Sequence, residues 1–89
     1  MKLKGYKKKV KIHDGHGYIY EFDNGFGASV VKHSGSYGSD KGLYEIAVLD
    51  SDGDLCYSTP ITDDVIGYAN EDKVLDTLHR IKSLWTFFT

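Results

Sequence analysis

Residues 24–33, NGFGASVVKH, decide the fold that this sequence predicts. The stretch begins with an Asn-Gly pair, a strong signal for a β-hairpin, because both residues tolerate the positive φ of a type I′ turn. Small and then β-branched residues follow, which is typical of a strand with close neighbours on both sides. We therefore predict a central strand from Phe26 to His33, paired antiparallel with residues 18–22 before the turn.

The segment before the turn has the pattern of a half-buried strand. Aromatic side chains occupy every second position of residues 18–22, and this alternation places one set of side chains on each face of a sheet. Gly27 and Ala28 in the central strand leave room for large neighbours, and we expect those neighbours to be the tyrosines opposite.

The segment from Met1 to Ile12 predicts a basic edge strand. Val10 and Ile12 alternate with Lys9 and Lys11. The two aliphatic side chains are therefore expected to face the core, and the lysines to face solvent. Gly5 interrupts the alternation and is expected to mark a bulge.

The segments after the central strand predict further strands of the same sheet. Leu43–Leu49 is strongly apolar, which favours an interior strand. A tight turn at residues 50–53 leads to a short returning strand at Asp54–Ser58. Thr62–Ile66 favours a single helical turn after the sheet has ended.

The last part of the chain predicts an amphipathic helix of about fourteen residues that begins after the N-cap residue Asn70. Leu78 and Ile81 are expected to be buried against the sheet, and Trp85 to close the edge of the core. Two interpretations remain open for Phe87 and Phe88, which either join the core or form an exposed patch. Apolar residues recur at helical spacing: Val74, Leu75, Leu78, Ile81, Leu84 and Trp85.

These elements define an α+β fold, in which an antiparallel meander of four to five strands carries one C-terminal α-helix on one face. The 89 residues are expected to form a single domain, residues 1–89. The net charge of −2 suggests neither a general DNA-binding protein nor a strongly acidic DNA mimic. The single cysteine, Cys56, excludes an internal disulfide and fits a reducing compartment. Because the chain begins without an apolar secretion signal, we expect a cytosolic location.

The sequence predicts no metal site and no cofactor. The acidic turn Asp50–Asp54 resembles the start of a calcium loop, but an EF-hand needs glycine and glutamate where this chain has Leu55 and Ile61. A structural zinc site usually recruits thiolates or four ordered ligands, and the single cysteine leaves this requirement unmet for the histidines His13, His16, His33 and His79.

We also expect no catalytic activity. Serines are plentiful in residues 34–39 beside His33, but turn chemistry accounts for them and no nucleophile-elbow motif is present. The glycines of this stretch do not match a P-loop, because Lys41 follows Asp40 and precedes Gly42. A meander under one helix rarely has the deep cleft that a pair of catalytic carboxylates needs.

Two interpretations remain open for the lysine-rich N-terminus, where six of the first eleven residues are lysine. The lysines either protect an edge strand from aggregation, or they contact the phosphate groups of nucleic acid. The candidates for nucleic-acid binding are Lys4, Lys7, Lys8, Lys9 and Lys11.

Ser34–Gly42 is the longest irregular stretch of the chain. Loops between strands often contain binding or catalytic residues. A tyrosine offers a large contact area and has few rotatable bonds that lose freedom on binding. The alternative is a flexible connector without a binding role. The residues expected to contact a protein partner are Tyr37, Asp40 and Lys41 of this loop, together with Asp50, Asp52 and Asp54 of the acidic turn.

Three segments of the chain resemble small uncharacterised accessory proteins of tailed bacteriophages: FDNGFGASVV at 22–31, GLYEIAVL at 42–49 and TPITDDVIGY at 59–68. The resemblance extends from about residue 18 to residue 84 and leaves out the lysine-rich start. It carries over no assigned catalytic or ligand residue. It implies a protein made in the cytoplasm of an infected bacterium, where small phage proteins of this kind bind host proteins or defence complexes.

The expected function is therefore that of a non-enzymatic, anti-CRISPR-like protein that binds and inhibits a bacterial host or defence protein complex. The chain is expected to act as a monomer or small homo-oligomer, away from membranes. The alternative is a small nucleic-acid-binding accessory protein that uses the lysine-rich strand. Salt dependence separates the two functions, because phosphate contacts weaken steeply with ionic strength.

Overall fold

A computed structural model of the chain describes residues 3–62 and 65–84. Its five strands form one antiparallel sheet in which each strand pairs with the next along the chain, and one helix packs against that sheet. The α+β meander expected from the sequence is thus confirmed. The elements are β1 (Lys8–Ile12), β2 (Gly15–Glu21), β3 (Gly27–Lys32), β4 (Tyr44–Leu49), β5 (Ile66–Ala69) and α1 (Glu71–Lys82), with a short 3₁₀ helix at Ser39–Lys41.

The hairpin at Asn24-Gly25 is confirmed, but the type of turn was wrong. The N–H of Phe22 donates to the carbonyl of Phe26 at 2.8 Å, and the N–H of Gly25 donates to the carbonyl of Phe22 at 3.2 Å. Of the two turn residues, Gly25 has a positive φ, +89°, and Asn24 does not. The connection is therefore a three-residue loop that ends on a left-handed glycine, the next most common hairpin geometry.

Asn24 joins this hairpin to the end of the helix. Its side-chain Nδ2 lies within hydrogen-bond distance of three carbonyl oxygens, those of Ile81 (2.8 Å), Lys82 (3.1 Å) and Leu84 (3.0 Å). Its Oδ1 accepts the N–H of Phe26 at 3.0 Å. The last carbonyls of a helix have no partner within the helix, so Asn24 serves as a C-terminal cap supplied from the other end of the chain.

Ala28 lies opposite Tyr20, as the sequence predicts, whereas Gly27 pairs with Glu21 and lies against the backbone of β2. Tyr20 is paired directly with Ala28, and both residues are buried. A Cβ atom at Gly27 would overlap the carbonyl oxygen of Tyr20, so a larger residue at this position would push β2 and β3 apart.

The hydroxyl of Tyr20 leads to a prediction about stability. Tyr20 is 3% exposed, its hydroxyl has no hydrogen-bond partner among the described residues, and burial raises the pKa of this phenol. Because an unsatisfied buried hydroxyl is costly, Tyr20→Phe is expected to leave the free energy of unfolding unchanged or to raise it by about 1 kcal/mol. Urea unfolding measures this change. A loss of more than about 1 kcal/mol would show that the hydroxyl is hydrogen-bonded.

The helix α1 packs largely as the sequence predicts, but it has twelve residues rather than about fourteen and ends at Lys82, before Leu84. The side chain of Asn70 accepts the N–H of Lys73 at 2.8 Å, which confirms the N-cap. Leu75 is 43% exposed and does not belong to the buried stripe. Trp85, Phe87 and Phe88 lie outside the described residues. The buried residues of the helix are Val74, Thr77, Leu78 and Ile81.

The face of β1 that carries the aliphatic side chains was predicted incorrectly. Directly paired residues share a face, and Lys9 pairs with Tyr18, which pairs with the core residue Val30. Lys9 and Lys11 therefore lie on the face of the sheet that carries α1, which we call the helix face. Val10 and Ile12 lie on the opposite face, which we call the open face.

This orientation has a physical reason. The helix packs against β3, β4 and β5, so it does not decide which side of β1 is buried. On the open face, Gly17 leaves a gap. A Cβ atom at Gly17 would lie 2.6 Å from Ile12, 3.1 Å from Val10 and 3.3 Å from Val31, so these three side chains already fill the space above the glycine.

The strand β1 begins at Lys8, later than the sequence suggests. Gly5 has a φ of +80° in a bend before the strand and is not a bulge within it. The segment before β1 instead covers the tyrosines of β2. Leu3 is buried, and the ring of Tyr6 lies 5.0 Å from that of Tyr18 and 6.3 Å from that of Tyr20.

The fifth strand lies in a different part of the chain from the one predicted. Residues 54–58 form no strand, and a single bridge joins Leu49 to Leu55. The expected helical turn at 62–66 is also wrong, because Ile66 begins β5; Asp63 and Asp64 lie outside the described residues. The backbone N–H and C=O groups along the outer edge of β4 need hydrogen-bond partners. Residues 54–58 reach only the end of β4, and β5 supplies partners along the rest of the strand.

Candidate protein-binding surface

The loop between β3 and β4 is held by hydrogen bonds of its own. The hydroxyl of Ser36 accepts the N–H of His33 at 3.0 Å and donates to its carbonyl at 2.8 Å. The carbonyl of Gly38 accepts the N–H groups of Lys41 and Leu43, both at 3.0 Å. Ser36 and Gly38 are buried, while Tyr37 between them is 61% exposed. The loop therefore presents Tyr37 from an anchored base.

Tyr37 is paired with a second exposed tyrosine that the sequence did not single out. The rings of Tyr37 and Tyr68 stack with centroids 6.4 Å apart and an angle of 23° between their planes. Tyr68 is 59% exposed and donates its N–H to the carbonyl of Tyr37 at 3.3 Å. The N–H of Tyr37 donates to Oε1 of Glu45 at 3.1 Å. We call Tyr37 and Tyr68 the tyrosine pair.

The backbone beneath the tyrosine pair is strained and tightly packed. Tyr68 has a φ of +54° at a register shift between β4 and β5. A Cβ atom at Gly67 would lie 2.7 Å from Cβ of Tyr37, and one at Gly38 would lie 2.9 Å from Cα of Tyr68. A left-handed conformation at a residue other than glycine costs about 1–3 kcal/mol and persists only when its surroundings enforce it. The signal in the sequence was Gly67 itself, because an isolated glycine in a strand suggests a bulge.

The six residues expected to contact a partner do not form one surface. Asp40 and Lys41 are exposed in the short 3₁₀ helix that follows Tyr37. Asp50, Asp52 and Asp54 follow the far end of β4. Because β4 spans about 17 Å from its first to its last residue, the acidic turn lies at the opposite end of the sheet from the tyrosine pair.

The acidic turn is held by its own carboxylate. Oδ1 of Asp50 accepts the N–H groups of Asp52 at 2.9 Å and Asp54 at 3.0 Å. Carboxylate oxygens of the three residues lie within 4.8 Å of one another. One of the three carboxylates thus already serves the turn as a hydrogen-bond acceptor. That the protein folds without calcium or zinc stays a prediction.

A cleft of about 490 Å³ lies between the β1–β2 turn and the β3–β4 loop, lined in part by His16, Lys32, His33 and Asp40. Oδ1 of Asp14 accepts the N–H of Ser34 at 2.9 Å, and this hydrogen bond lowers the pKa of the carboxyl group. The ionised carboxyl therefore stabilises the fold above its ordinary pKa, and this contribution is lost as the pH falls through the lowered value.

The histidines at this end of the sheet make contacts within and between the loops. The ring of His33 lies 5.2 Å from that of His13, and its Nδ1 accepts the N–H of Gly35 at 3.0 Å. His13 has a φ of +53°. Within residues 3–62 and 65–84 no serine hydroxyl is hydrogen-bonded to a histidine ring. The side chain of Asp14 thus joins the two loops, and the side chain of His33 holds the start of the β3–β4 loop.

The lysines of the N-terminus are divided between different surfaces. Lys4 is exposed in the segment before β1, and Lys7 forms an ion pair with Glu21 at 3.1 Å. Lys8 lies on the open face, whereas Lys9 and Lys11 lie on the helix face. The five lysines therefore do not form the single stripe that the sequence suggested.

Comparisons of the chain with protein-family models, with curated proteins and with solved structures find no match. Among the described residues, no helix is both long and apolar enough to cross a membrane. The candidate surface is thus defined by the contacts of this chain's own residues, with the tyrosine pair at its centre.

Proposed function

We propose that the protein is a non-enzymatic binding protein that contacts a protein partner through the tyrosine pair. The observation that supports this proposal is the combination of two rings about 60% exposed with a backbone that is strained to hold them together. Tyrosine is enriched among the residues that dominate protein–protein binding energies. Strained backbone of this kind clusters at ligand-binding and switch regions.

The surroundings of the tyrosine pair suit an interface. Each ring is already held against the other, so little side-chain freedom is left to lose when a partner binds. The exposed residues Asp40 and Lys41 follow Tyr37 closely in the chain, and we expect them to contribute to the polar rim that usually surrounds an aromatic centre. The acidic turn is too distant to belong to the same rim.

The proposed partner is a bacterial host protein or defence complex, which this protein inhibits in the cytoplasm of an infected cell. This part of the proposal rests on the resemblance of residues 22–31, 42–49 and 59–68 to phage accessory proteins. Such a protein would act in the manner of an anti-CRISPR protein, by occupying a surface that the target needs.

A binding measurement with matched tyrosine variants tests this function. The tagged protein captures its partner from bacterial lysate, mass spectrometry identifies it, and the purified partner is titrated against each variant. Tyr37→Ala is expected to weaken binding more than tenfold, about 1.4 kcal/mol, because truncation removes half of the stacked surface. The melting temperature should stay within a few degrees of the unmodified protein.

Tyr57→Ala is the control, because Tyr57 is a tyrosine of similar exposure, 47%, outside the tyrosine pair. It is expected to bind the partner like the unmodified protein. Equal affinity of the Tyr37→Ala variant and the unmodified protein would refute the proposal, and so would an equal loss in the Tyr57→Ala variant.

A further inference from the structure

Three basic side chains lie next to one another across the sheet. Lys11 pairs with His16, and His16 pairs with Lys32 on its other side. Neighbouring strands lie about 4.8 Å apart, so these three positions span about 10 Å across β1, β2 and β3. Lys9 precedes Lys11 by two residues and extends the group along β1 on the same face. We call Lys9, Lys11, His16 and Lys32 the basic row.

The basic row lies beside the helix rather than beneath it. The helix packs mainly against β3, β4 and β5, and on β2 the segment before β1 covers Tyr18 and Tyr20 rather than His16. Lys9, Lys11 and His16 are exposed, and Lys32 is half-buried. All four side chains are thus accessible to a ligand that approaches from the helix face.

Two of the lysines are oriented by aromatic rings. The Nζ atom of Lys9 lies 5.5 Å from the ring centre of Tyr18, and that of Lys32 lies 4.8 Å from the ring centre of Tyr44. Cation–π contacts of this kind hold an ammonium group without neutralising it. Among the described residues, no lysine of the basic row forms an ion pair with a carboxylate.

Protection of an edge strand does not account for this arrangement. Lysines on β1 fit that role, because β1 is an edge strand of the sheet. Lys32, however, belongs to β3, which is paired on both sides, and His16 belongs to β2, which is also interior. The basic row therefore runs into the sheet, away from the edge that needs protection.

We propose that the basic row binds the phosphate backbone of nucleic acid. Clustered ammonium groups without carboxylate partners complement the negative charge of successive phosphates, which supply most of the sequence-independent affinity. Tyr18 and Tyr44 already lie against their lysines and are at least partly buried, so base stacking adds little. Asp14 and Asp40 line the adjoining cleft with His16 and Lys32. Because these carboxylates repel phosphate groups, we expect the phosphate backbone to lie on the side of the basic row formed by Lys9 and Lys11.

Fluorescence anisotropy with a labelled oligonucleotide tests this binding site. The probe is mixed-sequence single-stranded DNA of about 20 nucleotides, longer than the site size of a small domain. The triple variant Lys9→Gln, Lys11→Gln and Lys32→Gln is expected to weaken binding at least tenfold. Each lost phosphate contact is expected to reduce the slope of the logarithm of the binding constant against the logarithm of the salt concentration by about 0.7. The single variant Lys32→Arg keeps the charge and is expected to bind normally.

The matched control removes three lysines that lie outside the basic row. Lys4→Gln, Lys8→Gln and Lys73→Gln together remove the same three positive charges from the net charge. These exposed lysines lie before β1, on the open face and on the helix, and so outside the basic row. The control is expected to bind within about twofold of the unmodified protein. Equal weakening by both triple variants would overturn the proposal, because net charge alone would then explain binding. Absence of binding by the folded, unmodified protein at low salt would also overturn it.

The test is independent of the proposed protein partner. Tyr37→Ala is expected to leave oligonucleotide binding unchanged, because Tyr37 does not belong to the basic row. Heparin is the comparison polyanion. Binding of heparin without binding of the oligonucleotide would contradict a nucleic-acid site, whereas a failure of the tyrosine variants to affect the protein partner would leave this site untouched.

Discussion

Leu78→Ala is expected to lower the free energy of unfolding by about 2–4 kcal/mol. Leu78 is buried between α1 and the sheet, in the same cluster as Val30, Ile46 and Ile81. Truncation removes apolar contacts and leaves a cavity that the neighbouring strands cannot fill. A domain has only about 5–15 kcal/mol of stability in total, so this one substitution is expected to remove a large share of it.

Leu75→Ala is the matched control, because it makes the same chemical change on the same helix at a residue that is 43% exposed. Its effect is expected to stay within about 0.5 kcal/mol, as for most surface substitutions. Urea unfolding followed by circular dichroism measures both variants. A loss below about 1 kcal/mol for Leu78→Ala, or equal losses for the two variants, would show that α1 does not dock as described.

Asn24→Ala is expected to lower the free energy of unfolding by about 2–3 kcal/mol, which is a large effect for a residue in a hairpin turn. The substitution removes the donor to the carbonyls at the end of α1 and the acceptor for the N–H of Phe26. Three of these four hydrogen bonds are partly buried, and the substitution removes all four at once. The melting temperature and the free energy of unfolding both report the loss.

Asn24→Asp separates the two halves of this interaction. The carboxylate can still accept the N–H of Phe26, but it cannot donate, and its charge faces the negative end of the helix dipole. We expect this variant to be at least as unstable as Asn24→Ala at neutral pH. The control is Asp23→Asn, a change at the exposed neighbour, with an effect of about 0.5 kcal/mol or less. A stable Asn24→Asp variant would contradict the capping role.

Patterns of local spacing predicted the parts of the fold that local rules govern. The Asn-Gly hairpin, the N-cap at Asn70 and the burial of Leu78 and Ile81 all follow from residues a few positions apart. Alternation in β1 also showed correctly which side chains share a face. It did not show that the aliphatic side chains of β1 lie on the face opposite the helix. That depends on how far α1 extends across the sheet, because α1 does not pack against β1.

The tyrosine pair and the helix cap depend on contacts between distant segments, and this is why the sequence did not reveal them. Tyr37 and Tyr68 meet because a bulge in β5 turns Tyr68 toward the β3–β4 loop. Asn24 was recognised as a turn residue, which it is, but its side chain acts on a helix at the other end of the chain. The basic row likewise became visible only once the strand register was known.

The cap formed by Asn24 also bears on the kinetics of unfolding. Every strand of the meander pairs with its neighbour in sequence, so the sheet can assemble from local contacts, which favours fast folding. Asn24, by contrast, meets residues that lie 57 to 60 positions further along the chain. We expect a contact of this kind to form after the local ones and to break early when the protein opens. It would then act mainly on the rate of unfolding, so that Asn24→Ala is expected to shorten the lifetime of the native state more than it slows folding.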